Sequence, residues 1–212
     1  MTKVWDGFIR GFHWLLVVGL VTLYITGEEG MMELHFVTGY LLLALMTTRL
    51  IWGLFGSQTA KLSALFHSPK AIVSAIKSSK SHVGHNPAGS QMVLVFFILI
   101  IVQLGSGLMT TDDILVEGPL AQYVSYDLVE IAGDIHHTNI DILLAAIAIH
   151  IVAIVMYRLK GQNLVKTLLT GKQENAAVAP KMKSGIVAYF IFIILSALLL
   201  LTWGAEPLSS LL

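Results

Sequence analysis

Five long apolar runs alternate with polar stretches along the chain, at about residues 8–26, 35–56, 91–110, 136–157 and 185–203. Each is close to the roughly 20 residues that carry a helix across the hydrocarbon core of a bilayer. In lipid such runs must be helical, because each segment has to satisfy its own backbone hydrogen bonds. The pattern therefore predicts an all-α membrane protein with a core of four helices and a fifth transmembrane helix after it. The first run has Arg10 early within it and no small-residue cleavage site behind it, so it reads as a retained helix and not a signal peptide.

Two shorter stretches have helical spacing of a different kind. Ser68-Pro69 has the cap-plus-proline form of a helix start, followed by Ala71, Ile72, Ala75 and Ile76 with Lys70, Lys77 and Lys80 nearby. Asn163 to Leu169 places Leu164, Val165, Leu168 and Leu169 around Lys166. Both predict short amphipathic helices on the inner membrane surface, with a partner-docking surface as the alternative. In the 111–135 loop, Tyr123, Val124, Leu128 and Ile131 would line one helical face, leaving Asp127, Glu130 and Asp134 in solvent.

Charge then orients the spans. The 212-residue chain is 56% hydrophobic and 12% charged, with no net charge to suggest a nucleic-acid partner. Its cations are Lys3, Arg10, Arg49, Lys61, Lys70, Lys77, Lys80, Arg158, Lys160, Lys166, Lys172, Lys181 and Lys183. The 27–34 and 111–135 loops hold Glu28, Glu29, Glu33, Asp112, Asp113, Glu117, Asp127, Glu130 and Asp134, and neither Lys nor Arg. The positive-inside rule puts the N-terminus and both basic loops in the cytoplasm. That orientation suits a multi-pass membrane protein in contact with lipid. The acidic outer face would attract a cationic partner; the alternative reading is solubility plus charge bias.

Candidate chemistry lies in the histidines. His136 and His150 are 14 residues apart on one predicted helix, just under four turns, which puts both on one face about 21 Å apart. Ionisable groups inside a membrane are costly and are functional by default. Topology sorts the others by depth. His13 lies near the inner end of the first helix and His35 opens the second at its outer end, while His67, His82 and His85 fall in a cytoplasmic loop. Two depth-matched pairs result, His13 with His150 inside and His35 with His136 outside. His137 competes for the outer site but is turned away from the face that carries His150. Two imidazoles at each of two depths suit the axial positions of haem iron; zinc would want four ligands in one place. The chain has no cysteine, so haem would be held non-covalently.

Neighbouring residues admit two readings each. Gly39, one turn beyond His35, would let a macrocycle lie against the helix or simply permit close helix packing. Arg10 and Arg49, at inner helix ends, would pair with haem propionates or snorkel to the headgroups. Gly105 and Gly107 fit helix packing. Gln103 suits an interhelical hydrogen bond better than a quinone contact. Trp5, Trp52 and Trp203 read as interfacial anchors.

Several motifs together resemble the bacterial di-haem cytochrome b561 family, which includes the cytochrome b subunits of nickel-iron hydrogenases. They are Val4-Trp5-Asp6 with Arg10 and His13-Trp14, His35-Phe-Val-Thr-Gly39-Tyr40, Arg49-Leu-Ile-Trp52-Gly53, His85-Asn86-Pro87-Ala88-Gly89 and the His136/His150 pair. The likeness spans roughly residues 4–171. It implies a four-helix haem-binding bundle over residues 1–175, with residues 176–212 adding the fifth helix. Further implications are two stacked b haems on the same four histidines and respiratory electron transfer between quinone and a redox partner, such as cytochrome c or a hydrogenase or dehydrogenase subunit. A stand-alone quinone-coupled superoxide oxidase and a haem-bearing membrane anchor are the alternatives. The resemblance assigns no chemical role to the His-Asn-Pro-Ala-Gly loop.

Overall fold

The computed structural model describes residues 1–77, 83–111, 116–174 and 178–212. Lys80, His82, Asp112 and Asp113, named above, lie outside the described residues, as do the side chains of Ile76 and Lys77. The chain divides into two compact units, Met1–Val93 with Ile154–Leu212 and Leu94–Ala153.

Among the described residues, four helices are long and apolar enough to cross a membrane: α1 (Gly7–Glu28), α2 (Met32–Phe55), α4 (Pro87–Gly107) and α5 (Tyr126–Leu159). The fifth run forms α7 (Ile186–Thr202), which turns through 87° into the short α8 (Ala205–Leu211). The two short amphipathic helices are α3 (Pro69–Lys77) and α6 (Leu164–Thr170).

In the first unit, Asp6 caps α1 by accepting from the Ile9 N–H at 2.8 Å. Gly30, at φ +68°, then reverses the chain into an antiparallel α2, a backbone region that glycine enters without penalty. α2 is the interior helix of this unit, burying Tyr40, Leu45, Met46 and Trp52 among others against α1, α7 and α8. A side chain at Gly185, just before α7, would meet the Phe8 backbone nitrogen at 2.6 Å, so glycine lets α7 start hard against α1. Strand β1 (Thr2–Lys3) pairs antiparallel with β2 (Lys172–Gln173). Gln58, just beyond α2, exchanges hydrogen bonds with Lys181 ahead of α7. Lys3, Lys172, Lys181 and Lys183 thereby gather at the end of the unit formed by the N-terminus, which is the clustering that one-sided charge anticipates.

The amphipathic helices form as the spacing predicts. Ser68 Oγ accepts from the Ala71 N–H at 3.3 Å, and Asn163 Oδ1 accepts from the Lys166 N–H at 3.0 Å. Gly171, at φ +71°, closes α6.

α5 differs most from expectation. It is 34 residues long and starts at Tyr126, so His136 is not at its opening but ten residues inside it. Ser125 begins the helix, its carbonyl accepting from Leu128 and Val129, and no proline breaks it before the apolar run. The proposed face from Tyr123 to Ile131 does not form, because Tyr123 ends a short 3-10 turn and Val124 is extended. The tryptophan assignment also changes. Trp5 and Trp52 are only 6% and 2% exposed and serve internal packing, not lipid anchoring. Trp52 lies edge-on to Phe8, and Trp5 packs on His85 with ring centroids 4.7 Å apart.

Candidate haem-ligand site

Val129, Ala132, Asn139, Leu143 and Ala146 are the buried residues of α5. His136 and His150 complete this row at alternating steps of four and three, the seam spacing of a packed helix. Both are half-buried, whereas His137 is exposed. In the second unit His136 is held by α4. Its Nδ1 lies 3.1 Å from the Gln103 carbonyl and 3.3 Å from Ser106 Oγ. A carbonyl can only accept, so Nδ1 carries the proton and Nε2 carries the lone pair of the neutral ring.

Gln103 also fastens the two helices. Its Nε2 donates to the His136 carbonyl at 3.1 Å, and its Oε1 accepts from Asn139 Nδ2 at 2.7 Å. It makes the interhelical bonds expected of it. Gly107 stands beside the imidazole, where an added Cβ would be 2.8 Å from His136 Cε1. The packing reading thus holds at Gly107, against a histidine. It fails at Gly105, where a Cβ would meet nothing within 4 Å.

His35 repeats the arrangement in the first unit. Its Nδ1 lies 3.0 Å from the Leu23 carbonyl on α1 and 3.3 Å from Thr26 Oγ1. Gly27 is the adjacent gap, with an added Cβ 3.3 Å from His35 Cε1. In both cradles one helix offers a carbonyl, a hydroxyl three residues on and a glycine one further. The two imidazoles are therefore fixed in the same tautomer by the same means. Sequence reasoning missed Thr26 and Ser106; the only signal was a hydroxyl-glycine pair, Thr26-Gly27 and Ser106-Gly107, near the ends of two apolar helices.

The other two histidines have aromatic neighbours. His13 is half-buried on α1 with its ring 5.1 Å from Trp14, and His150 is edge-on to Phe96 at 5.4 Å. The Leu23 carbonyl that holds His35 is ten residues from His13 along α1, a rise of about 15 Å. Side chains lean toward helix N-termini, which lie at opposite ends of α1 and α2, so the two rings stand further apart than this.

Arg49 is 3% exposed, with its guanidinium 5.9 Å from the Phe12 ring, so it does not snorkel. Arg10 donates to the carbonyls of Leu168 and Leu169 at 3.1 and 2.5 Å, satisfying the C-terminal end of α6. At Gly39 an added Cβ would meet only Leu23 Cδ2, at 3.9 Å, an ordinary contact, so close helix packing does not require the glycine there. His85 packs on Trp5, while Asn86 accepts from the Gly89 N–H at 2.7 Å and donates to the Tyr157 hydroxyl at 2.6 Å. The His-Asn-Pro-Ala-Gly loop is thus the N-terminal cap of α4 and its tie to α5.

This donor set fits a b-type haem. Neutral, oriented imidazoles are its axial ligands, glycines let two of these rings lie against the neighbouring helix, and the chain has no cysteine for covalent attachment. Among the described residues no group of three or more His, Asp or Glu side chains converges, so the zinc alternative finds no site there. No curated protein and no solved structure matches the chain. The family described as prokaryotic cytochrome b561 does match, over residues 4–171. With its long apolar helices and imidazole cradles, the chain belongs to the prokaryotic cytochrome b561 family, multi-pass membrane proteins that move electrons across the bilayer by way of b-type haem.

Proposed function

We propose that this protein carries electrons between membrane quinone and a redox partner protein, in the bacterial inner membrane, by way of two b haems. His13 and His150 would hold the inner haem, and His35 and His136 the outer one. Haem iron, when bound, supplies a one-electron ferric–ferrous couple whose potential follows its ligands, burial and nearby charge. The observation that carries the reading is the shared cradle of His35 and His136, which protonates Nδ1 and aims the lone pair through Nε2 in both.

The chain's own residues supply orientation and charge. Main-chain carbonyls fix the two outer imidazoles. Arg49 keeps a buried positive charge near the inner ends of α1 and α2, suited to a propionate, as is Arg10 in the first turn of α1. Gly39 leaves space one turn from His35. Outside, Glu28, Glu29, Asp127, Glu130 and Asp134 are exposed and would steer a cationic protein such as a cytochrome c toward that face. The same field would repel superoxide, so an electron-transfer partner is favoured over the superoxide oxidase alternative.

Haem content per chain tests the assignment, measured as pyridine haemochrome with reduced-minus-oxidised spectra. Wild type should hold two b haems. His13→Ala and His150→Ala should each lose the same one, and His35→Ala and His136→Ala the other. His137→Ala should keep both. Retention of two haems by His136→Ala would overturn the ligand set.

A further inference from the structure

We propose that Thr26 and Ser106 are positioning residues that lower the reduction potential of the outer haem, each by accepting a share of its ligand's Nδ1–H. This rests on His35 and His136 being the two ligands of that haem.

The hydroxyls are constrained in the same way. Thr26 Oγ1 donates to the Thr22 carbonyl at 2.7 Å, and Ser106 Oγ donates to the Val102 carbonyl at 2.8 Å. With its hydrogen committed to its own helix, each oxygen can present only a lone pair to the imidazole. The Nδ1–H of His35 is therefore divided between Leu23 O at 3.0 Å and Thr26 Oγ1 at 3.3 Å. That of His136 is divided between Gln103 O at 3.1 Å and Ser106 Oγ at 3.3 Å.

Both hydroxyl-bearing residues are buried, where a hydrogen bond acts through a low dielectric and is electrostatically stronger than in water. Accepting from Nδ1–H makes the ring more basic at Nε2. A more basic ligand favours ferric over ferrous iron, so each hydroxyl pulls the potential down. Neither residue is needed to satisfy its imidazole, since the carbonyl already does so. The hydroxyls therefore adjust the ligand and do not create it. Two helices in separate units carry the same carbonyl, hydroxyl and glycine at the same spacing, which chain packing alone does not require.

The test is a spectroscopic redox titration of the purified holoprotein, with haem content measured alongside. Thr26→Val and Ser106→Ala delete the acceptors with little change of volume. Each should keep two haems and raise the outer midpoint so that the reduced-to-oxidised ratio at fixed potential rises about threefold. That is roughly 28 mV at 59 mV per tenfold for one electron. The double variant should approach tenfold, the inner haem should stay in place, and Thr26→Ser should restore the wild-type value. A merely structural hydroxyl would leave both potentials unmoved at two haems per chain, and that result overturns the proposal. Equal movement of both haems would also overturn it. If Thr26→Val loses haem outright, Ser106→Ala alone decides. Failure of the ligand reading appears separately, as His35→Ala and His136→Ala chains that keep both haems.

Discussion

Trp52 donates its indole N–H to Asp6 at 3.1 Å, across 46 residues of sequence. The carboxylate is fully buried, caps α1 through its other oxygen and interacts electrostatically with the buried Arg49. One side chain thus joins the start of α1 to the last turns of α2 and balances a cation. Truncation would remove the cap, worth about 1 kcal/mol, and leave the guanidinium uncompensated, a loss on the scale of about 3–5 kcal/mol. Asp6→Asn, which keeps an acceptor oxygen but loses the charge, should therefore already lower the thermal midpoint in detergent strongly, and Asp6→Ala should lower it further by the roughly 1 kcal/mol of the cap. Equal melting of the two variants would mean that the charge on Arg49 carries the effect and the cap adds nothing, and a wild-type midpoint for Asp6→Asn would mean that the charge does not matter.

A second prediction concerns the glycines beside His35 and His136. A Cβ at position 107 would sit 2.8 Å from His136 Cε1 and 3.1 Å from its Nδ1, whereas one at 27 would sit 3.3 and 3.4 Å from the same atoms of His35. The first must displace the ring; the second asks for a few tenths of an ångström. Gly107→Ala should weaken retention of the outer haem about tenfold or more, the scale on which disturbed ligand support acts. Gly27→Ala should cost clearly less. Competition with apomyoglobin reads the difference, and a reversed order would show that the rings are not set by these contacts.

The limits of sequence legibility follow from what each residue's role depends on. The apolar runs mark α1, α2, α4, α5 and α7 because lipid admits only a helix there, and the step from His136 to His150 reads directly as one helix face. The start of α5 at Tyr126 was not legible, since its first turns mix Asp127, Glu130 and Asp134 with apolar residues and nothing marks a boundary. Trp5 and Trp52 were misread because an interfacial tryptophan and a packed one have the same sequence position; only Asp6 and His85 in three dimensions tell them apart. Thr26 and Ser106 stayed hidden for a related reason. Their partners lie 9 and 30 residues away, and a hydroxyl in an apolar helix ordinarily bonds back to its own turn.

The orientation is testable because the chain has no cysteine, so any introduced thiol reports alone. Tyr123 is exposed beyond the end of α4 that carries Gly107, and Lys61 is exposed in the loop after α2. With the N-terminus inside, Tyr123→Cys should react with an impermeant maleimide added to spheroplasts. Lys61→Cys should react only once the membrane is opened. The opposite pattern would invert every depth assigned to the histidines.

Asn86 carries the last prediction, because its two ends can be separated by substitution. The side-chain oxygen accepts from the Gly89 N–H at 2.7 Å, and the nitrogen donates to the Tyr157 hydroxyl at 2.6 Å. Pro87 follows at the first helical position, where its missing N–H costs nothing. Asn86→Asp keeps the cap and places a negative charge at a helix N-terminus, which the helix dipole favours, but it removes the donor to α5. Asn86→Ala removes both. If the loop serves mainly to start α4, the aspartate variant should melt close to wild type and the alanine variant lower by the equivalent of about 1 kcal/mol. If it serves mainly to fasten α4 to α5, the two should fall together, and Tyr157→Phe should reproduce the loss. The cap geometry favours the first outcome: the Gly89 bond satisfies a backbone donor that no other described partner takes, while a phenol near the C-terminal end of α5 can turn to water.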